Sequence, residues 1–422
     1  MSHIILASVG THGDVLPYVA LGIACKARGH RVTLAANESY APLAREHGLE
    51  FAALVSNAET DELLDDPNLW HPIKSGLLGA RWGRKSLRRQ YDQLAELAAG
   101  DDVVLATSVA ILAGRLLQET RGLPLATIYH IPWTIASSSE PPVMTGGWTL
   151  PKWAPRPVAR AYWWLVDFNA RVLLGNALNE LRSTLGLPPV KRLFRWWTSP
   201  ELAVGLFPDW YAPPQPDWPS QLITTGFPRF DGETDGELAA EVLDFCQSGP
   251  PPVVVTFGTG MKHAAKLFMA AAEACAKSGR RGLLLARFAD QVPLQLPSGV
   301  RHFQYASLRQ LLPHCSTIVH HGGIGTTAKS VTSGTPQVIV PHAWDQLDNA
   351  MRVARLGVGV TLRRRHVTST RLAASLKEVE AASVLSRCRA VAAAGAVATD
   401  PMQTAAILIE QLCVGRPAVT SS

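Results

Sequence analysis

The chain has 422 residues, 47% hydrophobic and 18% charged, which is enough for two or three domains with sizeable cores. Its net charge of +6 fits an anionic substrate or an anionic membrane surface, and because no nucleic-acid-binding motif is present we expect no nucleic-acid partner. The six cysteines lie in apolar segments without a C-x-x-C pattern, and no run of 18 apolar residues occurs, so the composition argues against a metal site and a membrane span. We therefore expect a cytoplasmic protein.

Strands and helices alternate from the first residues, which predicts a parallel sheet. We expect strands over residues 3–9, 31–36, 50–54, 102–106 and 125–129, and helices over 15–28, 39–47 and 109–120. The loop over residues 10–14 carries His12 and Asp14 at the carboxyl end of the first strand, where open α/β sheets bind ligands. Asp14 has a simpler alternative role as the N-cap of the helix that follows.

Residues 70–94, WHPIKSGLLGARWGRKSLRRQYDQL, interleave lysines and arginines with tryptophans and leucines. This pattern is typical of an amphipathic helix that lies on an anionic membrane. It predicts a peripheral contact with the inner face of the membrane. The alternative is an ordinary surface helix whose apolar stripe packs on its own domain.

Two further stretches are rich in aromatic residues. Residues 131–156 are irregular and contain Trp133, and residues 161–174 have a helical pattern that contains Phe168. We expect Trp133 and Phe168 to line an apolar acceptor pocket, although aromatic side chains at helical spacing also pack in protein cores. The proline-dense stretch 207–232 then predicts the end of a first domain at about residue 230.

The second half of the chain repeats the alternation of strands and helices. We expect strands over residues 252–257, 282–286, 300–303, 316–320, 336–340 and 358–362, and a last helix from residue 401. Two strands run into glycine turns, Gly258-Thr259-Gly260 and HHGGIGTT at 320–327. A glycine turn before a helix presents backbone N–H groups to an anion such as phosphate. The alternative for the second turn is a tight connection with a core histidine.

A second polar cluster follows the strand at residues 336–340. It includes His342, Asp345 and Gln346 within TPQVIVPHAWDQLDNA. Because parallel strands end at the same edge of their sheet, this cluster and the glycine turn should lie together. The sequence therefore predicts one polar site for a phosphate-containing ligand.

HHGGIGTT followed by TPQVIVPHAWDQLDNA resembles the donor-binding signature of family-1 glycosyltransferases, which have the GT-B fold of two Rossmann-like domains with parallel sheets facing a cleft. The resemblance implies that His321, Gly323, Gly325 and Thr326 bind the diphosphate of a nucleotide sugar. It also implies that Asp345 and Gln346 bind the sugar hydroxyls. Gly258, Thr259 and Gly260 would face the diphosphate from the other side, and Phe303 would stack on the base.

GTHGDV, SPELAVGLFPDWYAPPQPDWP and TGFPRFDG resemble the bacterial rhamnosyltransferases of rhamnolipid synthesis, and less closely the sterol and glycopeptide glycosyltransferases. The resemblance implies an acceptor-binding domain over residues 1–230, a nucleotide-sugar-binding domain over 231–400, and a terminal helix and tail over 401–422 that cross back to the first domain.

The same resemblance implies an inverting transfer of a hexose, without a metal or other cofactor, from a UDP- or dTDP-sugar to a hydroxyl of an apolar acceptor such as a lipid or a small aglycone. Asp14 would be the base, with His12 as the second candidate. Two alternatives remain open from the residues alone: a nucleotide-sugar epimerase of the same fold, and a non-catalytic module that binds lipid or nucleotide.

Overall fold

The computed structural model describes residues 1–144, 146–151, 153–232, 238–396 and 399–414, which form two α/β domains with parallel sheets. The first sheet has the order β3-β2-β1-β4-β5-β6-β7. Its strands are β1 (His3–Ala7), β2 (Arg31–Asn37), β3 (Glu50–Val55), β4 (Val103–Ser108), β5 (Leu125–Tyr129), β6 (Leu202–Gly205) and β7 (Leu222–Thr224). The central strands β4 and β5 are buried along their whole length, as their apolar sequences require of a sheet covered on both faces.

Helices cover both faces of the first sheet. They are α1 (His12–Ala27), α2 (Ala41–Glu46), α3 (Asn57–Asp65), α4 (Lys74–Leu97), α5 (Leu112–Arg121), α6 (Arg156–Ala170), α7 (Asn176–Thr184) and α8 (Leu193–Trp196). A π-helical turn, Arg171–Gly175, joins α6 to α7.

The start of α1 differs from the sequence prediction, which placed residues 10–14 in a loop. Thr11 is the N-cap, and its backbone N and its Oγ1 both donate to Oδ2 of Asp14, at 2.8 and 3.1 Å. This capping box makes His12 the first helical residue, so His12 and Asp14 lie in the first helical turn.

The second sheet has the order β10-β9-β8-β11-β12-β13. Its strands are β8 (Val253–Thr256), β9 (Gly282–Leu285), β10 (Val300–Phe303), β11 (Thr317–His320), β12 (Gln337–Ile339) and β13 (Gly359–Thr361). The helices of this domain are α9 (Ala240–Gln247), α10 (Ala265–Lys277), α11 (Leu308–Leu311), α12 (Ile324–Ser333), α13 (Gln346–Leu356), α14 (Ser369–Val379) and α15 (Ala382–Gly395). The strands expected from the sequence fall at these positions.

The last helix, α16 (Pro401–Val414), packs on the first domain. Met402, Ala405 and Ile409 are buried in the same core as residues of α1. Glu410 forms an ion pair with Arg28 at the end of α1. The tail at 415–422, which the sequence assigned to the same segment, lies outside the described residues.

Helix α4 occupies most of the basic stretch 70–94, and most of its apolar side is covered by the protein itself, whereas Leu77 is exposed. Trp70 and Leu78 pack in the core of the second domain, whereas Trp82 and Leu87 pack in the core of the first. Most of this stretch is therefore an ordinary surface helix that packs on its own protein, and not a helix whose whole apolar side lies on a membrane. Within the part of the chain that the structure describes, no helix is long and apolar enough to span a bilayer.

Candidate active site

The two domains meet where the first turns of α1 and α12 approach each other. A Cβ atom added to Gly325 would lie 3.7 Å from the Cα of Gly13, so two glycines allow the backbones to come close. This contact brings the turn after β1 opposite the turn after β11. Asp14 and His12 therefore lie at the same interface as the glycine turn at 320–327.

Both oxygens of the Asp14 carboxylate are engaged. Oδ2 accepts the two hydrogen bonds from Thr11, and Oδ1 lies 3.2 Å from Nε2 of His130. Gly10 has φ +139°, and a Cβ added there would fall 2.4 Å from Oδ2 of Asp14, so this position requires glycine. The side chain of Asp14 caps the helix and still remains partly exposed, so a ligand could reach it.

His130 is a site residue that the sequence analysis did not identify. It directly follows β5, it is buried, and its Nδ1 has no hydrogen-bond partner among the described residues. The available signal was its position: a histidine at the carboxyl end of a central parallel strand lies at the edge where ligands bind. Its pairing with Asp14 joins residues 116 positions apart.

His12 has an environment that keeps its ring neutral. Burial, together with the positive charges of Arg287 and Lys329, lowers its pKa to about 4. A ring with such a pKa is a poor proton acceptor near neutral pH, because its protonated form is disfavoured by the same surroundings.

The two histidines at the end of β11 have different roles. His320 is structural: its Nε2 pairs with Oε1 of Gln337 at 3.0 Å, and its Nδ1 accepts from the backbone N of Gly322 at 3.1 Å. His321 is buried, which lowers its pKa to about 4, and within the described residues its Nδ1 has no partner. His321 is thus the neutral ring that remains able to donate a hydrogen bond to a ligand.

The glycine turn after β8 lies against this histidine. A Cβ on Gly258, which has φ +96°, would be 3.0 Å from Cε1 of His321. Thr259 and Gly260 continue the turn towards the first domain, where Gly260 packs near Thr11. Gly323 is the N-cap of α12, and Gly325 and Thr326 lie in the first turn of this helix. The free N–H groups of this helix end therefore face the same region.

Asp345 and Gln346 are held by the loop after β12. The preceding Trp344 adopts a left-handed conformation at φ +58°, which is rare for a non-glycine residue, and its Nε1 donates to the carbonyl of Leu69 at 3.0 Å. Oε1 of Gln346 accepts from the backbone N of His342 and Ala343, at 2.8 and 3.2 Å. The NH₂ group of Gln346 is therefore the part able to bind a ligand.

The Asp345 carboxyl group has an unusual proton affinity. Burial raises its pKa to about 7, the negative charge of Asp14 adds to this shift, and His130 opposes it. Its Oδ2 accepts a hydrogen bond from Nδ2 of Asn349 at 2.7 Å. Asp14, His130 and Asp345 thus form one electrostatically coupled group that draws on both domains.

Phe303 requires a correction, because the sequence analysis expected it to stack on a base. Its side chain is 5% exposed and packs on Phe245 in the core of the second domain. The more accessible ring after β10 is Tyr305, which is 42% exposed and donates from its hydroxyl to the carbonyl of Asp231. Tyr305 is therefore the better candidate for contact with a base.

The two aromatic residues expected to bind the acceptor lie in different places. Trp133 follows His130 closely, and its Nε1 donates to the carbonyl of Val143 at 3.0 Å, which ties it into the loop after β5. Phe168 instead lies on the exposed side of α6, where its ring stacks on Trp164. The structure brings Trp133 near the site and leaves Phe168 on an outer surface.

The basic residue Lys262, which follows the glycine turn after β8, is engaged by the first domain. Its Nζ lies 2.6 Å from Oδ1 of Asp65, at the end of α3. The ion pair links the turn after β8 to the first domain. The carboxylate of Asp65 thus balances part of the positive charge of Lys262.

Comparisons with known proteins cover both domains. Residues 4–138 match the "Glycosyltransferase family 28 N-terminal domain", and residues 285–411 match the "Erythromycin biosynthesis protein CIII-like, C-terminal domain". The chain is 31% identical to glycosyltransferase GtfE of Amycolatopsis orientalis, over 96% of each chain.

Two other proteins extend the comparison along the whole chain. The chain is 29% identical to the vancomycin aglycone glucosyltransferase of the same organism, over 99% of this chain and 100% of the relative. The crystal structure of SsfS6, a Streptomyces sp. SF2575 glycosyltransferase complexed with thymidine diphosphate, superposes with a TM-score of 0.65 at 23% identity, covering 97% of this chain and all of the other. The similarity therefore includes the order of the two domains.

Proposed function

The chain belongs to the nucleotide-sugar-dependent glycosyltransferases of the GT-B fold, and from this premise we propose that it transfers a hexose from a dTDP- or UDP-sugar to a hydroxyl group of an apolar acceptor. We further propose that the transfer inverts the anomeric carbon and needs no metal ion.

One observation carries this proposal: the Asp14–His130 pair lies across the domain interface from the glycine turn that begins α12. In the proposed reaction Asp14 accepts the proton of the acceptor hydroxyl. The acceptor oxygen then attacks the anomeric carbon while the bond from that carbon to the diphosphate breaks. A single displacement of this kind inverts the anomeric centre.

The leaving diphosphate gains negative charge, which the second domain is suited to stabilise. The first turn of α12 offers N–H groups at the positive end of a helix, and His321 offers a ring N–H beside Gly258. Asp345 and the NH₂ group of Gln346 would orient the sugar hydroxyls. These groups together supply the charge stabilisation and the orientation that the reaction needs.

We propose the identities of the sugar donor and the acceptor from the relatives and from the sequence motifs. The thymidine diphosphate bound by SsfS6 favours dTDP-sugars over UDP-sugars. The stretches that resemble rhamnosyltransferases favour rhamnose as the sugar and hydroxyalkanoyl lipids as the first set of acceptors. The vancomycin aglycone in the name of one relative favours aglycones as the second set of acceptors. A cytoplasmic location fits a nucleotide-sugar substrate.

The proposal is tested by incubating the purified protein with dTDP- and UDP-hexoses, with and without a panel of hydroxylated lipids and aglycones. We expect nucleoside diphosphate to be released only when an acceptor is present, together with a product heavier by one hexose residue. Interconversion of the nucleotide sugars without an acceptor would instead indicate an epimerase. Absence of turnover with every pair would contradict the proposed substrates.

A further inference from the structure

Helix α6 exposes apolar side chains to solvent on the side opposite its buried face. Trp164 is 61% exposed and Phe168 is 40% exposed, and Leu165 and Val172 are also exposed. These four residues, which we call the aromatic ridge, follow one another at the spacing of a single helical stripe that continues into the π-helical turn. On the other side of the helix, Trp163 is buried and its Nε1 donates to the carbonyl of Ser137 at 2.7 Å. The ridge is therefore not the packing face of α6.

Positive charge surrounds the aromatic ridge. Arg156 and Arg160 precede Trp164 by eight and four residues, and Arg171 lies with its guanidinium 5.4 Å from the centre of the Phe168 ring. All three arginines are exposed. The acidic residue of α6, Asp167, accepts a hydrogen bond from the backbone N of Phe194 at 3.1 Å. The charge displayed beside the ridge is thus positive.

An exposed stripe of tryptophan, phenylalanine and leucine bordered by arginines has the composition of a surface that enters the interfacial region of a membrane. The apolar rings enter the boundary between headgroups and acyl chains, and the arginines contact anionic headgroups. Further apolar side chains, Trp148, Trp153 and Val158, are exposed just before or at the start of the helix. Val158 lies on the same stripe of α6 as the ridge, which extends the exposed apolar stripe towards the start of the helix.

We propose that the aromatic ridge of α6, with Arg156, Arg160 and Arg171, docks the protein on an anionic lipid bilayer. A second copy of the chain is a poorer occupant, because pairing two ridges would place their arginines together in a protein that already carries a net charge of +6. The proposal moves the membrane contact from residues 70–94, whose apolar side is largely covered, to a different helix.

The position of α6 gives this docking a consequence for the site. The bond from Trp163 to Ser137 fixes α6 on the loop that follows β5, which also carries Trp133 and begins at His130. A bilayer bound at the ridge would therefore be separated from this loop by the width of α6. The docking itself does not depend on the proposed reaction, and its test uses no substrate.

The test is co-sedimentation of the full chain with vesicles of phosphatidylcholine alone or with 30% phosphatidylglycerol, at about 50 and 500 mM salt. We expect binding to the anionic vesicles that weakens at high salt, because exposed charges are screened. The double substitution Trp164→Ala and Phe168→Ala should weaken binding about tenfold or more. Arg160→Ala and Arg171→Ala should each weaken it roughly fivefold at low salt.

Matched controls separate the ridge from other exposed groups. Leu294→Ala removes an exposed leucine in the second domain, and Arg84→Ala removes an exposed cation of α4, so both should bind as the unchanged protein does. Circular dichroism should show the same fold for all variants, since exposed substitutions change stability little. Lack of binding to anionic vesicles at low salt, equal binding by the ridge variant, or a dimer in light scattering that the ridge variant abolishes would each overturn the proposal.

Discussion

The carboxylate of Asp14 is fixed from two directions, by Thr11 on Oδ2 and by His130 near Oδ1. A base that must meet an acceptor hydroxyl gains from such fixed orientation, because misplacement by about 1 Å costs roughly 10²-fold in rate. His130 is buried, and its hydrogen bond among the described residues is to Asp14 rather than to the glycine turn of the second domain. We therefore assign it a positioning role.

Substitution of His130 tests that role. We expect His130→Ala to lower kcat about 10²-fold, because one oxygen of Asp14 loses its partner. His130→Gln should recover most of the rate, since the glutamine amide can replace the Nε2 hydrogen bond but cannot carry a proton. The readout is kcat for both variants across pH 5–9. Equal loss in both variants would show that His130 takes part in proton transfer rather than positioning.

Asp345 gives a prediction about pH. Its pKa in the folded protein is about 7, well above the value of about 3.9 for an unfolded aspartate. Between these values the folded state binds more protons than the unfolded state, so the contribution of Asp345 to stability falls as pH rises from about 4 to 7. Asp345→Asn removes this dependence. Thermal unfolding from pH 4.5 to 8 should therefore show the variant gaining Tm relative to the unchanged protein as pH rises; a constant difference would contradict the raised pKa.

Some residues of the site could be predicted from sequence and others could not. The glycine turns and the pair Asp345-Gln346 are contiguous motifs, so they were recognised with their neighbours. His130 stands alone after an apolar strand, and only the strand order places it at Asp14. Phe303 was misplaced because it ends the edge strand β10 with its ring packed on Phe245, whereas the exposed ring, Tyr305, lies in the loop that follows.

At the scale of elements, helix α13 connects the two domains through buried polar contacts. Asp348 is fully buried, and its carboxylate accepts from Nε of Arg352 at 2.7 Å and from the backbone N of Val143 in the first domain at 3.0 Å. The Tyr211 hydroxyl donates to Oδ1 of Asn349 at 2.8 Å. Because α13 begins at Gln346, these contacts also fix the end of the helix that we propose binds the sugar.

Removal of one partner from this buried pair should be costly. We expect Arg352→Ala to destabilise the protein by about 3–5 kcal/mol, because the Asp348 carboxylate would stay buried without its counter-charge. The control is Arg88→Ala, which breaks an exposed pair with Asp92 and should cost at most about 1 kcal/mol. Urea unfolding of both variants provides the comparison. Similar small losses would mean that solvent reaches Asp348.

The limits of sequence prediction at this scale have physical causes. Strand positions were recovered because buried strands are short apolar runs between turn residues. The start of α1 was missed because Asp14 acts at the third helical position of a capping box rather than as the N-cap. The pattern of α4 showed an amphipathic helix but not what covers it, and its apolar residues pack on cores of both domains.

At the scale of the whole molecule, α16 returns the end of the second domain to the first. Ile409 is fully buried there, whereas Ile407, two residues earlier, is 41% exposed. We expect Ile409→Ala to lower the free energy of unfolding by about 2–5 kcal/mol through lost burial and the cavity it leaves. Ile407→Ala should cost much less in the same denaturation experiment. Equal effects would indicate that α16 does not depend on the first domain in solution.

The two-domain architecture also explains why the site is divided. The first domain contributes Asp14 and His130, and the second contributes His321, Asp345 and the first turn of α12. In the proposed mechanism the base belongs to the first domain and the diphosphate binds to the second. The glycine contact between α1 and α12 is therefore where the chemistry of the two domains is joined.

The measurement that tests this account most directly is the turnover of Asp14→Asn at saturating sugar donor and acceptor. Asparagine keeps an oxygen for the hydrogen bonds from Thr11 but cannot accept the acceptor's proton, so kcat should fall about 10²–10⁴-fold while Tm stays nearly unchanged. Binding of the nucleoside diphosphate, which the second domain holds, should persist. If Asp14→Asn retains full activity, and His12→Ala is inactive instead, the assignment of Asp14 as the base is wrong.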